Sequence, residues 1–338
     1  MDFKQIQYFV RVAELGSFTR AASVLRVAQP ALSRQVRALE VELRQPLFER
    51  NGRGVTLTEA GRRLLAHGRG ILQQLERARQ DLEDQRGAAS GLLSIGLPPS
   101  VSRTLTAALV EAFQEQFPRA TISIVEGLST YTLEWLVQGR IDCAVVYNAT
   151  PAAAFNLMPV LQERLFLVSV RGPRAAVRMG TRMGSTSGAV AGAGAALMGR
   201  PVALATVAER ELVIPSRPHA IRMRLETVLA QAGLKPRVAL EIDSVPAMLD
   251  LVRRHPAQGL HAVLSLNALL GSGHETALRA RPITVAPGQP PLATTLWLAT
   301  SAQRPRGPLL EQTLPLLKAL LLARLGVANS KWGKNHGA

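Results

Sequence analysis

Four side chains between residues 29 and 37 could read a polymer: Gln29, Ser33, Arg34 and Arg37. Their spacing places them on one side of a helix, while Leu32, Val36, Leu39 and Leu43 recur on the other. Glutamine presents a donor and an acceptor together, which matches the edge of adenine. Arginine presents a donor fork, which matches guanine or a phosphate. Pro30 belongs with them, because proline is favoured in a first helical turn, where its missing N–H would have had no partner. The chemistry implied is hydrogen bonding to base edges in the major groove. Two further arginines, Arg50 and Arg53, flank Asn51-Gly52, a dipeptide suited to a tight hairpin turn. They would rest on phosphates. From Phe18 to Arg63 the chain carries nine arginines against four glutamates, the positive surplus a phosphate backbone requires.

A second set of polar residues follows predicted strands. It comprises Ser100 and Ser102 in Pro98-Pro99-Ser100-Val101-Ser102, Ser129 and Thr130 after Gly127-Leu128, and Ser216 after Pro215. Such hydroxyls cap helices, or they help helix N-termini hold an anion; both readings stand at this point. Arg217 and His219 would balance a carboxylate or simply lie on the surface.

Catalytic signatures are missing. The sequence has no Gly-x-Ser-x-Gly, no phosphate-binding Walker loop, no His-Glu-x-x-His and no Cys-x-x-Cys. Its six histidines show no metal-ligand pairing, and Cys143, alone in an apolar strand, is expected to be buried and inert. Gly192-Ala193-Gly194 imitates part of a dinucleotide fingerprint, but Leu197 stands where the third glycine belongs and no strand precedes it. Neither enzyme activity, nor a metal, nor a cofactor is expected.

The elements that must position these residues can be read from periodicity. Phe3, Ile6, Phe9, Val10 and Ala13 mark a supporting first helix over 3–15. Thr19–Leu25, a turn at 26–28 and Gln29–Leu43 form a helix-turn-helix, and 47–57 forms a basic hairpin wing. A long helix runs from a cap at Thr58 to about Gln85. Its narrow seam of Leu64, Gly68, Ile71, Leu75, Ala78 and Leu82 asks for a partner helix, with Gly68 and Gly70 weakening it or allowing close backbone approach. Packing on its own domain is the alternative. After a linker at 86–91, strands expected at 92–97, 121–125, 142–147, 165–169, 212–214, 238–242, 262–265 and 294–299 alternate with helices expected at 101–117, 130–139, 217–232, 245–254 and 308–325. Alternation of this kind predicts α/β units on largely parallel sheets. Residues 174–200, rich in Gly, Ala and Ser, read as a mobile insertion, and 328–338 as a disordered tail.

Composition sets outer limits. The 338 residues allow two or three compact units, and 47% hydrophobic content with only 4% aromatic predicts Leu, Val and Ala cores. The net charge of +16 favours a polyanionic partner. Only +5 of it lies in residues 1–90, leaving +11 beyond. No export signal and no apolar run of about 18 residues is present, so a soluble, cytoplasmic protein is expected with no membrane partner.

Taken in order, Ser17-Phe18-Thr-x-Ala21-Ala22-x-x-Leu25, Gln29-Pro30-Ala31-Leu32-Ser33-Arg34-Gln35-Val36, Pro46-Leu47-Phe48-x-Arg50 and Leu57-Thr58-x-Ala60-Gly61 resemble the winged helix-turn-helix of LysR-type transcriptional regulators. The match is dense from Met1 to Gly96 and fainter beyond, where Ile141-Asp142-x-Ala144 and Pro215-Ser216-Arg217-Pro218-His219 continue it. One departure is Ala28, where many members carry a capping serine. The resemblance implies an α/β protein: a winged helix-turn-helix over 1–58, a dimerisation helix and hinge over 59–90, and an effector-binding domain over 91–327. That last domain is two Rossmann-like lobes, as in periplasmic binding proteins, with 91–163 plus 267–327 forming one lobe and 164–266 the other. The three Ser/Thr turns would be effector-contacting turns. The implied function is a bacterial, sequence-specific regulator modulated by a small anionic metabolite between the lobes. Double-stranded promoter DNA is its partner, self-association gives a dimer and then a tetramer, and RNA polymerase is a further candidate partner. A solute-binding protein would share the cleft but lack the DNA head; an architectural DNA binder would lack the cleft.

Overall fold

A computed structural model describes residues 1–51, 54–84, 90–171, 199–269, 277–286 and 289–326. Gly52 and Arg53 of the expected wing, most of the expected linker, nearly all of the expected insertion and the whole expected tail lie outside these residues. So do the side chains of Arg50 and Leu82.

The N-terminal unit is three helices and a hairpin: α1 (Phe3–Leu15), α2 (Phe18–Leu25), α3 (Gln29–Leu43), β1 (Phe48–Asn51) and β2 (Gly54–Leu57). Each helix has a local reason to start and stop. Asp2 and Gln5 close a capping box on α1, and Gly16 ends it in the left-handed region. Ser17 caps α2 by accepting from the Arg20 N–H. Ile6, Tyr8, Phe9, Val10 and Val12 bury one side of α1, although Phe3, expected on that side, is largely exposed. They meet Ala21, Ala22, Leu32, Val36, Leu39 and Leu47 in two adjoining cores. Phe48 ties the wing in, with ring centroids 5.3 Å from Phe9 and 5.7 Å from Phe18.

The long helix α4 (Glu59–Asp84) follows. Thr58 Oγ1 accepts from the Gly61 N–H at 3.0 Å and donates to the Pro46 carbonyl at 2.7 Å, so the start of α4 is fastened to the wing. Part of the expected seam is used within the chain. Leu64 packs into the α1 core, and a Cβ at Gly68 would lie 2.8 Å from Val10 Cγ2. Ile71 and Ala78 stay exposed and Leu75 is half-buried.

Beyond Ser90 the chain builds one mixed sheet. The strands are β3 (Gly91–Leu97), β4 (Ala120–Glu126), β5 (Cys143–Tyr147), β6 (Phe155–Val170), β7 (Val202–Ala203), β8 (Glu211–Ile214), β9 (Arg237–Glu241), β10 (His261–Ser265), β11 (Leu278–Thr284) and β12 (Ala293–Ser301). Their order is β4-β3-β5-β12-β6-β10-β8-β9, with β11 and then β7 on the other flank of β6. The helices are α5 (Pro99–Gln116), α6 (Ser129–Val137), α7 (Leu204–Ala208), α8 (Ala220–Gln231), α9 (Val245–Arg254), α10 (Leu266–Leu269) and α11 (Pro308–Leu321).

Strand β6 divides this sheet into two lobes. Residues 155–164 pair with β12, and 165–170 pair with β10 and β11. The first lobe packs α5 and α11 against β3, β5 and β12. The second has a core on each sheet face, one under α7 and α8 and one under α9 and α10. The return crossing comes later than expected. Because β11 pairs with residues 166–170, the chain stays in the second lobe until Thr284 and re-enters the first at Ala293, not at 267.

Candidate functional site

At the start of α3, Leu32, Val36 and Leu39 are fully buried, which leaves Gln29, Pro30, Arg34 and Arg37 exposed and Ser33 half-buried. The first turn is uncapped: Ala28 is the N-cap residue and no side chain bonds the free N–H groups. Arg26 turns the chain between α2 and α3 in the left-handed region, at φ 53°. Glu40 Oε1 accepts from the Leu47 and Phe48 N–H groups at 2.8 and 3.2 Å, which holds α3 at a set distance from the wing. In the wing, the backbone of Arg50 pairs with Val55. Gly54 (φ 148°) admits the Gly16 carbonyl so closely that a Cβ would lie 2.8 Å from its oxygen. The result is a rigid helix face of exposed donors with a hairpin beside it, a shape fitted to a groove and its phosphates.

The second candidate site is a cavity of about 330 Å³ between the lobes. The N-terminal turns of α5, α6, α8 and α9 open onto it, the first two from one lobe and the last two from the other. No side chain caps α5 or α6. Pro98 and Pro99 have no N–H and Val101 donates to the Pro98 carbonyl at 3.0 Å, so α5 offers the Ser100 N–H, α6 offers those of its first turn, and the positive ends of both helix dipoles face the cavity.

Three expected residues meet in this cavity: Ser100, Ser129 and His219. Ser129 Oγ accepts from the Tyr147 N–H at 2.9 Å, so its proton is free to be donated. His219 Nδ1 accepts from the Ile221 N–H at 3.2 Å, which puts the ring proton on Nε2. Burial pushes the His219 pKa down, opposed by the Asp243 carboxylate, so the ring is neutral at pH 7.

The other four expected residues fall elsewhere. Ser102 sits two positions after Ser100, on another side of α5, where it is buried and its hydroxyl meets Thr106 Oγ1 at 2.9 Å. Thr130 faces a neighbouring open groove with His67 and Met223. Ser216 is engaged by Asp243, donating to Oδ1 from its N–H at 2.9 Å and from its hydroxyl at 2.7 Å. Arg217 lies outside on the surface, forked onto Glu226 at 2.9 and 3.0 Å.

Sequence reasoning missed Arg103, Tyr147 and Asp243, which all line the cavity. Arg103 was within reach, being one helical turn after Ser100. Its guanidinium donates to the Ala268 carbonyl at 2.8 Å, crossing from α5 to the second lobe. The Ser216 hydrogen bonds hold the Asp243 carboxyl below its usual range, so it is ionised. Behind the cavity, Tyr147 Oη lies 3.4 Å from Ser100 Oγ and donates to Glu163 Oε2 at 3.2 Å. Glu163 is fully buried and takes a further hydrogen bond from Asn267. Burial raises its pKa, while bonds from Asn267, Ser265 and Tyr147 oppose the rise. Burial, with Glu163 beside it, also keeps Tyr147 a neutral phenol. Among the described residues no three His, Cys, Asp or Glu side chains gather to hold a metal, and no helix is long and apolar enough to cross a membrane.

Residues 3–62 match the family model of the bacterial regulatory helix-turn-helix protein, LysR family, and residues 86–182 and 186–321 match that of the LysR substrate binding domain. The chain belongs to the LysR family. It is a DNA-binding transcriptional regulator with an effector-binding domain, not an enzyme. The nitrogen assimilation regulatory protein Nac of Escherichia coli (strain K12) is 34% identical over 249 residues, 73% of this LysR-family chain and 74% of Nac. The hydrogen peroxide-inducible genes activator of Haemophilus influenzae is 34% identical over 167 residues, 49% of this chain and 56% of that protein. Among solved structures, full-length CbnR complexed with its target DNA matches with a TM-score of 0.62 at 22% identity, covering 95% of this chain and 100% of CbnR. Full-length BenM matches with a TM-score of 0.53 at 22% identity, covering 96% and 98%. At these identities the two structures show a shared fold alone.

Proposed function

We propose that this regulator reads promoter DNA sequence-specifically through α3, and that a small anionic metabolite bound between the lobes alters that reading. Gln29, Pro30, Ser33 and Arg34 contact base edges, while Arg37 and the wing arginines Arg50 and Arg53 contact phosphates. The observation that carries the ligand half is the cavity itself, where uncapped helix starts from one lobe face helix starts from the other. The free N–H groups, Ser100, Ser129 and Arg103 favour an anion. Ionised Asp243 limits how much negative charge the opposite wall accepts. A ligand spanning both walls prefers a closed arrangement of the lobes, and only such a preference lets binding shift the equilibrium.

Self-association through the free part of α4 gives a dimer whose two reading helices match a two-fold DNA site. Dimers then pair as tetramers, with RNA polymerase as a further partner. The test is a thermal-shift screen of carboxylates and inorganic anions, with footprinting for any hit. Ser129→Ala should lose the shift and keep DNA binding. If no anion stabilises the protein and the variant regulates normally, the cavity is structural.

A further inference from the structure

The second lobe carries a basic row unrelated to the cleft. Strand register defines it. Arg279 on β11 lies opposite Ser169 on β6, and Arg281 lies opposite Leu167. Val263 on β10 also lies opposite Leu167, so His261, two residues earlier, shares the face and the level of Ser169. His261 in turn lies opposite Leu212 on β8, and Arg210 just precedes that strand. Arg279, Ser169 and His261 therefore line up across three strands, with Arg281 one step in from Arg279, and Arg210, two residues before Leu212, lies one step further out on the neighbouring strand's side. Neighbouring strands stand about 4.8 Å apart, so the row spans roughly 14 Å.

The row lies beyond the core residues Leu165, Leu167, Val263 and Ile283 on the same face, with buried Leu212 level with His261. It marks the N-terminal ends of β8 and β10, whereas the cleft lies past their C-terminal ends, so the two sites are at opposite ends of the lobe.

The cations are crowded. None of the ion pairs formed among the described residues involves Arg210, Arg279 or Arg281. Arg279 and Arg281 both bend over Gly199, where a Cβ would come within 2.6 Å of Arg279 Nε and 2.9 Å of Arg281 Cγ. Arg281 is half-buried and fixed, donating to the Arg200 carbonyl at 3.0 Å and the Pro201 carbonyl at 3.3 Å. Burial lowers its pKa, and Arg279 and Arg210 lower it further. His261 is also depressed, first by burial and then by Arg210 and Arg281, against a hydrogen bond to the Gly259 carbonyl. Like charges held together in a fixed array cost free energy that a bound anion returns.

We propose that a ligand carrying a chain of phosphates binds along this row, gripped by Arg279 and Arg281 at one end and Arg210 at the other, with Ser169 and His261 between. The roughly 14 Å length exceeds a single phosphate and suits several in succession. Such a chain is offered both by a free polyphosphate or nucleotide and by a DNA backbone.

The test is calorimetric titration of the full-length chain with inorganic tripolyphosphate at constant ionic strength. It compares the natural sequence with Arg210→Gln/Arg279→Gln, two exposed positions, after melting curves establish that the variant folds. Arg34→Ala controls for binding at the DNA head. A free phosphate chain predicts one tripolyphosphate per chain that survives Arg34→Ala and weakens at least tenfold in the double variant. A second arm measures affinity for promoter fragments of increasing length. A DNA backbone source predicts that longer flanks tighten binding and that the double variant abolishes the gain, with no tripolyphosphate site. If the double variant alters neither titration, the proposal is wrong.

Discussion

A Cβ on Gly70 of α4 would stand 1.9 Å from the carbonyl oxygen of Gln138, so the long helix and the end of α6 meet backbone to backbone. Helix α6 begins at Ser129 in the cleft and ends at this contact. Beside it, Gln73 Nε2 donates to Ser94 Oγ at 3.0 Å. One rigid helix thus connects the ligand cavity to the helix that carries the DNA head. Gly70→Ala should separate the two surfaces, while the helix itself gains up to about 1 kcal/mol in propensity. Hydrogen exchange should rise at residues 136–141 and stay unchanged over α1–α3. Unchanged exchange at both would mean that the contact carries no constraint.

Ala28→Ser should stabilise the head. The uncapped first turn of α3 would gain one acceptor for its free N–H groups, about 1 kcal/mol. For a unit of this size that raises the melting temperature of the head by roughly 4–8 °C. Differential scanning calorimetry of the full chain reads it, and a head transition that does not rise would show that solvent already satisfies those groups equally well.

Ile71→Glu tests the dimer. Leu64 and Gly68 are used within the chain, which leaves Ile71, 41% exposed, as the first large apolar residue of what remains for a partner. A charge there costs the monomer little and would be buried unpaired at a helix–helix seam. Light scattering should show half the mass of the unsubstituted chain. An unchanged mass would place self-association elsewhere.

Glu163→Gln should stabilise the protein, increasingly so as pH rises. The folded state holds Glu163 protonated above the pH at which the unfolded chain releases that proton, near 4.3. Stability from this group is therefore complete below about pH 4.3 and is lost as pH climbs toward its raised folded value. Glutamine keeps the shape and the Asn267 bond without the proton. The difference in melting temperature between the two proteins should be near zero at pH 4 and positive at pH 8. A difference independent of pH would mean that folding does not raise the Glu163 pKa.

The DNA head was largely legible because each of its helices must bury one face, and that demand writes a 3.6-residue period into α1 and α3. Strands buried on both faces, such as β5 and β10, show as short apolar runs. Others do not. The first half of β6 contains Pro159 and a register shift opposite Leu296 and Trp297, so alternation fails along it. Strand β11 reads Leu-Arg-Ala-Arg-Pro-Ile-Thr, with the arginines of the basic row and a proline masking a strand. The cleft was legible only in part for a different reason. Serine after a strand marks a helix start, but it does not say which hydroxyl faces the ligand. Helical geometry turns Ser102 away from Ser100, and Asp243, distant in sequence, takes the hydroxyl of Ser216.

DNA reading by α3 is tested most directly by binding of the full-length chain to a set of promoter fragments at one moderate salt concentration, with Arg34→Ala alongside. The unsubstituted chain should prefer one fragment over random duplex by about 10³-fold or more. Arg34→Ala should lose about 1–3 kcal/mol of that preference and keep its affinity for random DNA. Equal binding of the unsubstituted chain to every fragment would contradict sequence-specific reading by this helix.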